Sequence, residues 1–248
     1  MAFDLKPTPI VLRLIIINTA IYLLMAVFSS QSWVYQTIEQ LALSPEGVAD
    51  FKVWQPFTYM WLHEVPGLNH ILFNMMGLWF LGTALERRWG KRTFLKFYLL
   101  SGLGAGVFTL LVGWLVGGGF AAPVIGASGA ILALVAAFSM VMPNAQLHLF
   151  FVLPVRAKHV IWIALGFDVV LFLIEGSANR VAIQTHFGGA IAAWLLITGN
   201  WRPRVAMARF QKRFGGKNAR TTSKKPSGWR VIDGGKNGNG RDDDDLLH

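Results

Sequence analysis

The sequence predicts an all-α membrane protein, a bundle of six transmembrane helices, from its composition and its hydropathy pattern. Of its 248 residues, 54% are hydrophobic and 15% are charged, whereas about 25% of the residues in a soluble domain are charged. The mean hydropathy is +0.46. Apolar segments that approach the roughly 20 residues needed to cross a bilayer as a helix recur along the chain. Lipid is therefore the expected surrounding of most of the chain.

Six hydrophobic segments predict the transmembrane helices. They cover residues 10–28, 69–85, 94–116, 127–142, 159–175 and 183–200. The fourth is short and rich in Gly, Ala and Ser, a composition that lets backbones approach closely and is typical of a helix buried among others. The first is not followed by a small-residue cleavage site, so we interpret it as a permanent span rather than a removable signal.

The distribution of Lys and Arg predicts that both chain ends are cytoplasmic. With that orientation Lys52 and Arg180 lie on the far side, and the other 21 of the 23 basic residues lie on the cytoplasmic side. Cytoplasmic loops carry such an excess of Lys and Arg. We therefore expect a multi-pass protein of the cell membrane, of the bacterial inner-membrane type, with an even number of spans.

The segments outside the six spans are predicted to lie on or beside the bilayer. Residues 29–68 are rich in aromatic side chains and suit the membrane interface. Residues 201–214 predict a basic amphipathic segment on the cytoplasmic surface, and residues 215–248 predict a disordered tail. Because the net charge of +10 is concentrated beside the hydrophobic body, it indicates a cytoplasmic membrane flank. The lipid bilayer is thus an expected partner, and nucleic acid is not.

Polar residues within the apolar segments are costly to bury and tend to be functional. His70 and Asn74, at the start of the second segment, are four residues apart and share a helix face. Ser128 begins the fourth segment, and His186 lies near the start of the sixth. With the predicted topology all four lie towards the non-cytoplasmic side. Singly, each also has a structural interpretation, since a membrane serine bonds back to its own helix and a buried histidine needs only a polar partner.

Taken together, the motifs resemble those of the rhomboid family of intramembrane serine proteases. The resembling runs, in chain order, are Trp54-Gln-Pro-Phe-Thr-Tyr-Met-Trp-Leu-His63, His70-x-x-x-Asn74, Gly82-x-x-Leu85-Glu86-x-x-Trp89-Gly90, Tyr98-x-x-Ser101-Gly102, Gly126-x-Ser128-Gly129 and His186-x-Gly188-Gly189. They extend from about Val53 to Trp194 in the family's order and spacing. The resemblance implies a rhomboid-like bundle of six helices with a water-accessible cavity that opens away from the cytoplasm.

The resemblance also implies a serine–histidine dyad that cleaves peptide bonds in or near the transmembrane segment of membrane-protein substrates. Ser128 would attack the scissile carbonyl, and His186 would take its proton and pass it to the leaving amine. The oxyanion would be held by the backbone N–H of Ser128 and by the side chains of His70 and Asn74. Three glycines would shape the site by letting backbone and substrate come close: Gly126, Gly129 and Gly189. Residues 176–182 would form a moving gate.

Asp168 is an acid within the fifth apolar segment, where a charged group is expensive. It could orient the catalytic histidine as a third member of the site. Counted from the ends of the predicted helices, however, it lies away from the level of His186. The sequence therefore favours a hydrogen-bonded structural role for Asp168 and a site without a third carboxylate.

Three positions depart from the family pattern. Leu132, one helical turn after Ser128, replaces an aromatic residue that commonly packs against the catalytic histidine. Gln55 stands where arginine is usual, and Thr185 stands where alanine is usual. These departures bear on the orientation of the histidine, the anchoring of the first loop and the surroundings of the base.

Three alternatives compete with a serine protease. The main one is a non-cleaving rhomboid-like protein that binds membrane clients, although such members typically lack the serine or histidine that this chain keeps. A zinc protease would need a complete His-Glu-x-x-His motif, but His63-Glu64 is followed by Gly67, and a chain without cysteine offers no other full ligand set. A transporter leaves the Gly-x-Ser-Gly run and its distant histidine unexplained. We expect no metal and no cofactor.

Overall fold

The computed structural model describes residues 6–65, 67–116, 123–149, 152–175 and 180–199. The described chain forms, in order, α1 (Pro9–Val27), α2 (Ser32–Leu41), α3 (Pro45–Ala49), α4 (Gln55–Thr58), a 3₁₀ turn (Tyr59–Trp61), α5 (Asn69–Gly77), a π-helical segment (Leu78–Gly82), α6 (Thr83–Trp89), α7 (Lys91–Val116), α8 (Ser128–Val141), β1 (Gln146–Leu149), β2 (Leu153–Arg156), α9 (Ala157–Glu175) and α10 (Arg180–Thr198). The predicted cytoplasmic segment 201–214 and tail 215–248, and residues 176–179 of the predicted gate, lie outside the described residues.

The helices match the apolar segments, and the prediction of an all-α membrane protein is confirmed. In the described part of the chain, three helical stretches are long and apolar enough to cross a membrane: Pro9–Val27, Lys91–Leu115 and Ala157–Ile174. Two shorter apolar helices cover Ser128–Val141 and Ile183–Thr198. The second predicted span, 69–85, corresponds to α5 and α6, which run without a break through the π-helical segment between them. The crossing of the bilayer by each of the six stays a prediction.

Helix α8 lies at the centre of the bundle. Nine of its 14 residues are buried, and it packs against α7, α9 and α10. Small residues allow this close packing: Gly129 of α8 faces Ala105 of α7 and Thr185 of α10. In lipid, where no hydrophobic effect drives helices together, the van der Waals contact between closely approaching backbones stabilises such a bundle.

A short antiparallel hairpin, β1 with β2, joins α8 to α9. Its register pairs Gln146 with Arg156 and Leu149 with Leu153. The hydroxyl of Ser139, near the end of α8, donates to the carbonyl of Ala157 at the start of α9 at 2.7 Å. The hairpin lies at the opposite end of α8 from Ser128, so it stands apart from the predicted site.

The loop between α1 and α5 is held by side chains that bond to its own backbone. Trp54 Nε1 donates to the carbonyl of Gln40 at 2.8 Å, and Thr58 Oγ1 donates to the carbonyl of Leu41 at 2.7 Å. The buried Tyr59 hydroxyl donates to the carbonyl of Gly102 in α7 at 2.8 Å. Burial, with Tyr98 nearby, raises the pKa of Tyr59, so this hydroxyl remains a donor. The loop is thereby fixed to the bundle.

Glu86 is a buried carboxylate of α6 that caps the start of α1. Its side chain accepts hydrogen bonds from the Thr8 hydroxyl at 2.6 Å and from the N–H groups of Ile10 and Val11 at 3.1 and 3.0 Å. N–H groups in the first turn of a helix have no partner within the helix and carry the positive end of its dipole. Glu86 therefore joins the first helix to the end of α6.

We expect Glu86→Gln to lower the free energy of unfolding by about 2 kcal/mol, because each hydrogen bond to a charged acceptor contributes about 1.5–3 kcal/mol. The glutamine keeps one acceptor oxygen but turns an amide donor towards a cluster of donors. Thermal unfolding in detergent micelles measures the change. The exposed Glu39 of α2 provides the matched control, Glu39→Gln, which should unfold like the wild type. Equal stability of the Glu86 variant and the wild type would contradict the capping role.

Candidate active site

Ser128 is the first residue of α8, and its position leaves backbone donors free around it. The first N–H that bonds back into the helix is that of Ile131, which donates to the carbonyl of Ala127 at 3.0 Å. The N–H groups of Ser128, Gly129 and Ala130 come before it and have no partner within the helix. Together with the helix dipole, such N–H groups attract negative charge. The start of α8 is thus suited to hold an oxyanion beside the serine hydroxyl.

Gly126 brings His70 against the turn that precedes Ser128. Its φ of +120° is a backbone conformation that residues with a side chain rarely adopt. A Cβ at this position would stand 2.5 Å from His70 Nε2, so the imidazole occupies the space that a side chain would need. The N–H of Gly126 donates to the carbonyl of Tyr59 at 3.0 Å, which fixes the turn to the first loop.

The ring of His70 is oriented with Nε2 towards the start of α8. Its other nitrogen, Nδ1, accepts a long hydrogen bond of 3.5 Å from the N–H of Glu64, so a neutral ring carries its proton on Nε2. The carboxylate of Glu64 lies 3.9 Å from Nδ1 but is 64% exposed, and such an exposed pair contributes little. His70 therefore presents a donor to the turn before the serine.

Asn74 lies one helical turn after His70 and is nearly buried. Its Nδ2 donates to the carbonyl of His70 at 2.7 Å. That bond uses one of the two amide hydrogens and leaves the other for a further acceptor. The predicted pair of polar side chains on one helix face is thus present, and the bond to the His70 carbonyl fixes the orientation of the amide.

His63, the last residue of the run that begins at Trp54, is a buried histidine that packs against His70. The two rings pack edge to face with centroids 5.2 Å apart. Among the described residues, neither ring nitrogen of His63 has a hydrogen-bond partner of good geometry. Burial lowers the pKa of His63 to about 3, with a further contribution from His70 and an opposing one from the backbone of Trp61. His63 is therefore neutral in the folded protein and packs as an apolar support for His70.

The depressed pKa of His63 predicts a pH dependence of stability. The unfolded chain has a histidine pKa near 6.5, so between pH 6.5 and about 3 it binds a proton that the folded chain does not. The neutral His63 therefore contributes fully to the free energy of unfolding above pH 6.5, and this contribution is lost as the pH falls towards 3. At pH 5 the loss amounts to about 2 kcal/mol. We expect His63→Leu to reduce the difference in unfolding free energy between pH 7.5 and pH 5 by about this amount. An unchanged difference would contradict the neutral state.

His186 lies in α10, and its ring is held by Asp168 of α9. The Nδ1 atom of His186 is 2.8 Å from a carboxylate oxygen of Asp168, and the two side chains are 17% and 13% exposed. The expectation that Asp168 lies away from the level of His186 is therefore wrong. Helix α10 begins at Arg180, three residues before the predicted segment, so His186 lies six residues into it. Asp168 lies seven residues before the end of α9, at nearly the same level, because a helix rises about 1.5 Å per residue.

The predicted site residues converge, although Ser128 and His186 are not hydrogen-bonded to each other in the described part of the chain. Gly129, next to Ser128, packs against Thr185, next to His186. Gly189 approaches the backbone of Gly129 so closely that a Cβ would overlap its carbonyl oxygen. Catalytic hydrogen bonds are often longer before substrate binds.

A model of the rhomboid domain matches residues 50–202 of the chain. The chain belongs to the rhomboid family. The matched region runs from the first loop to just beyond α10, and it contains all the side chains that converge at the start of α8.

Several characterised rhomboid proteins are similar to the chain. It is 30% identical over 201 residues to RHOMBOID-like protein 12, mitochondrial, of Arabidopsis thaliana, covering 76% of this chain and 57% of that protein. It is 27% identical over 216 residues to Rhomboid protease AarA of Providencia stuartii, covering 78% of this chain and 73% of that protein. It is 29% identical over 161 residues to Rhomboid protease GluP of Bacillus subtilis, covering 65% of this chain and 30% of that protein. The chain thus spans about half of the first relative and a third of the last. Two of these relatives are named as rhomboid proteases.

The structure accounts for two of the three departures from the rhomboid pattern. The fully buried amide of Gln55 accepts from the N–H of Ser44 at 3.1 Å and donates to the carbonyl of Glu39 at 3.2 Å, so it anchors the first loop. Thr185 forms a hydroxyl–hydroxyl hydrogen bond of 3.0 Å with Thr109 of α7, which joins α7 to α10 beside the base. Leu132 is half-buried, and no contact in the described part of the chain accounts for its departure from the pattern.

Proposed function

We propose that this chain is a serine endopeptidase that hydrolyses peptide bonds in or near the transmembrane segment of membrane proteins. Ser128 is the nucleophile and His186 is the general base. The observation that carries the proposal is the convergence at the start of α8: a serine among free backbone N–H groups, a histidine donor at Gly126 and a second histidine whose ring is oriented by a carboxylate.

The chemistry follows from these positions. As Ser128 Oγ bonds to the scissile carbonyl carbon, its proton passes to His186 Nε2, and the carbonyl oxygen becomes an oxyanion. The backbone N–H of Ser128 and the side chains of His70 and Asn74 stabilise that charge. When the C–N bond breaks, the proton passes from His186 to the leaving amine. Water then hydrolyses the acyl-enzyme by the reverse use of the same groups. A pre-aimed oxyanion donor contributes roughly 10²–10³ in rate.

The proposal includes the setting of the site. The chain crosses the cell membrane six times with both ends in the cytoplasm, as the split of basic residues favours. The substrates are membrane proteins with a transmembrane segment that unwinds locally near the membrane surface, because a peptide bond inside a helix is shielded from Ser128. Water reaches the site through a cavity on the non-cytoplasmic side, since exposed backbone at membrane depth is tolerated only where it lines such a cavity.

The decisive test uses the purified protein in liposomes with a single-span reporter and a fluorophosphonate probe. We expect the wild type to cut the reporter and to carry the probe on Ser128, as identified by mass spectrometry. Ser128→Ala should lose both. The matched control is Ser32→Ala, which removes an exposed serine at the start of α2 and should keep both.

The outcomes separate the protease from a non-cleaving relative. A wild type that is labelled on Ser128 but does not cut points to an unsuitable reporter, and a panel of single-span segments of differing helix stability then decides. A folded wild type that is neither labelled nor able to cut any of them overturns the protease and favours a protein that binds membrane clients. Cleavage that is indifferent to the helix stability of the substrate would contradict local unwinding.

A further inference from the structure

The carboxylate of Asp168 and the imidazole of His186 form a buried contact that a serine–histidine dyad does not require. Asp168 Oδ2 lies 2.8 Å from His186 Nδ1, a distance typical of a charge-assisted hydrogen bond. Both side chains are more than four-fifths removed from solvent. An acid in the middle of an apolar helix is costly unless it is paired, and in the described part of the chain His186 is its side-chain partner.

We propose that Asp168 is a positioning residue of the active site, so that this chain works with a Ser128–His186–Asp168 triad rather than with a dyad. The inference rests on the proposed function. The carboxylate accepts the hydrogen bond from Nδ1–H, and this fixes the tautomer of the neutral ring. Nε2 then carries the lone pair, and it is the only ring nitrogen able to receive the proton of Ser128.

The carboxylate contributes through orientation and charge, and it takes no proton itself. Holding Nδ1 prevents the ring from flipping or rotating about its side-chain bonds, which keeps Nε2 directed for proton transfer. When the ring becomes positively charged during acylation, the adjacent negative charge stabilises it. In serine proteases built on such a triad, replacement of the aspartate by asparagine leaves the geometry intact and lowers kcat by about 10⁴-fold, because the ring adopts the wrong tautomer.

A purely structural role for the contact gives different expectations. Helix α9 buries few of its side chains in the bundle, among them Ala157 and Val160, so a hydrogen bond to α10 could serve only to hold it in place. In that case, loss of the bond would lower the melting temperature, and kcat would fall only with the folded fraction. Kinetics and stability measured on the same variants separate the two roles.

The test measures kcat and KM for reporter cleavage in liposomes, with the melting temperature, for the wild type and three variants. We expect Asp168→Asn to lower kcat by about 10²–10⁴-fold while KM stays within threefold. Asp168→Glu, which keeps a carboxylate, is expected to recover at least tenfold of that loss. Asp50→Asn makes the same change of charge at an exposed position and should match the wild type in both constants.

Two outcomes overturn the positioning role. The first is a kcat for Asp168→Asn within threefold of the wild type, once corrected for the folded fraction. The second is an equal loss in Asp168→Asn and Asp168→Glu, which would show that the carboxylate is not what matters. An inactive wild type instead overturns the proposed function, and the triad with it, whereas an active wild type with an active Asp168→Asn overturns the triad alone.

A spectroscopic measurement on the unmodified chain covers the case in which the variants do not fold. With ¹⁵N-labelled histidine, the NMR shifts of the two ring nitrogens report which one is protonated, and comparison with His186→Ala assigns the His186 signals. We expect protonated Nδ1 and bare Nε2 at pH 8. Protonated Nε2 with bare Nδ1 would overturn the proposal whatever the kinetics show.

Discussion

Ser128→Ala is expected to lower the rate of reporter cleavage by about 10⁴–10⁶-fold, and the double variant Ser128→Ala/His186→Ala is expected to be no slower. The physical reason is that nucleophile and base act in one step. Without the Ser128 hydroxyl there is no proton for His186 to accept, so the remaining rate comes from the oxyanion donors and from substrate binding alone. Single-turnover cleavage in liposomes, with enzyme in excess, measures the chemical step without contributions from product release.

The three rates together form a cycle that tests the assignment. If the double variant were slower than the wild type by the product of the two single-variant factors, the residues would contribute independently, and His186 would not be the base for Ser128. A His186→Ala variant with wild-type cleavage would contradict the assignment outright. Melting temperatures of all three variants show whether any loss arises from unfolding, because Ser128 makes no side-chain hydrogen bond among the described residues whose removal would destabilise the fold.

The fold class could be predicted because hydropathy and small-residue content are local properties of the chain. The composition of the fourth segment predicts a central, closely packed helix, and α8 is the helix on which the bundle is built. The predicted topology also places His70 and Ser128 towards the same side of the membrane, but it does not predict that they meet. Gly126 permits a backbone conformation and a contact that no other residue would allow, and its place two residues before the serine is visible in the sequence.

The pairing of Asp168 with His186 could not be predicted, since it depends on where a helix begins. The predicted segment starts three residues after the observed start of α10. At 1.5 Å per residue, this difference shifts the expected position of His186 by about 4.5 Å along the helix axis and turns its expected direction by most of a revolution. The cost of burying an acid does indicate that Asp168 needs a partner, but it does not say which. The partners of Gln55 are backbone groups of the first loop, and they are equally invisible without the fold.

Gly189→Ala is expected to disrupt the site more than any other glycine-to-alanine substitution in the chain. A Cβ at this position would overlap the carbonyl oxygen of Gly129 and lie 3.4 Å from the N–H nitrogen of Ala133. These are backbone atoms of α8, so no side-chain rotation relieves the contact, and α8 and α10 must move apart. Overpacking of this kind costs typically 1–3 kcal/mol. Because the two helices carry Ser128 and His186, a displacement of about 1 Å also costs about 10²-fold in rate.

The matched control is Gly166→Ala in α9, where a Cβ would meet nothing within 4 Å. It makes the same chemical change within a helix, and it should leave the melting temperature equal or slightly higher, because alanine favours helix over glycine by about 1 kcal/mol. Thermal unfolding in micelles and single-turnover cleavage by both variants compare the two positions. Wild-type stability and activity in Gly189→Ala would show that α8 and α10 are further apart than this contact requires. A loss confined to Gly189→Ala would show that the approach of the two backbones holds nucleophile and base together.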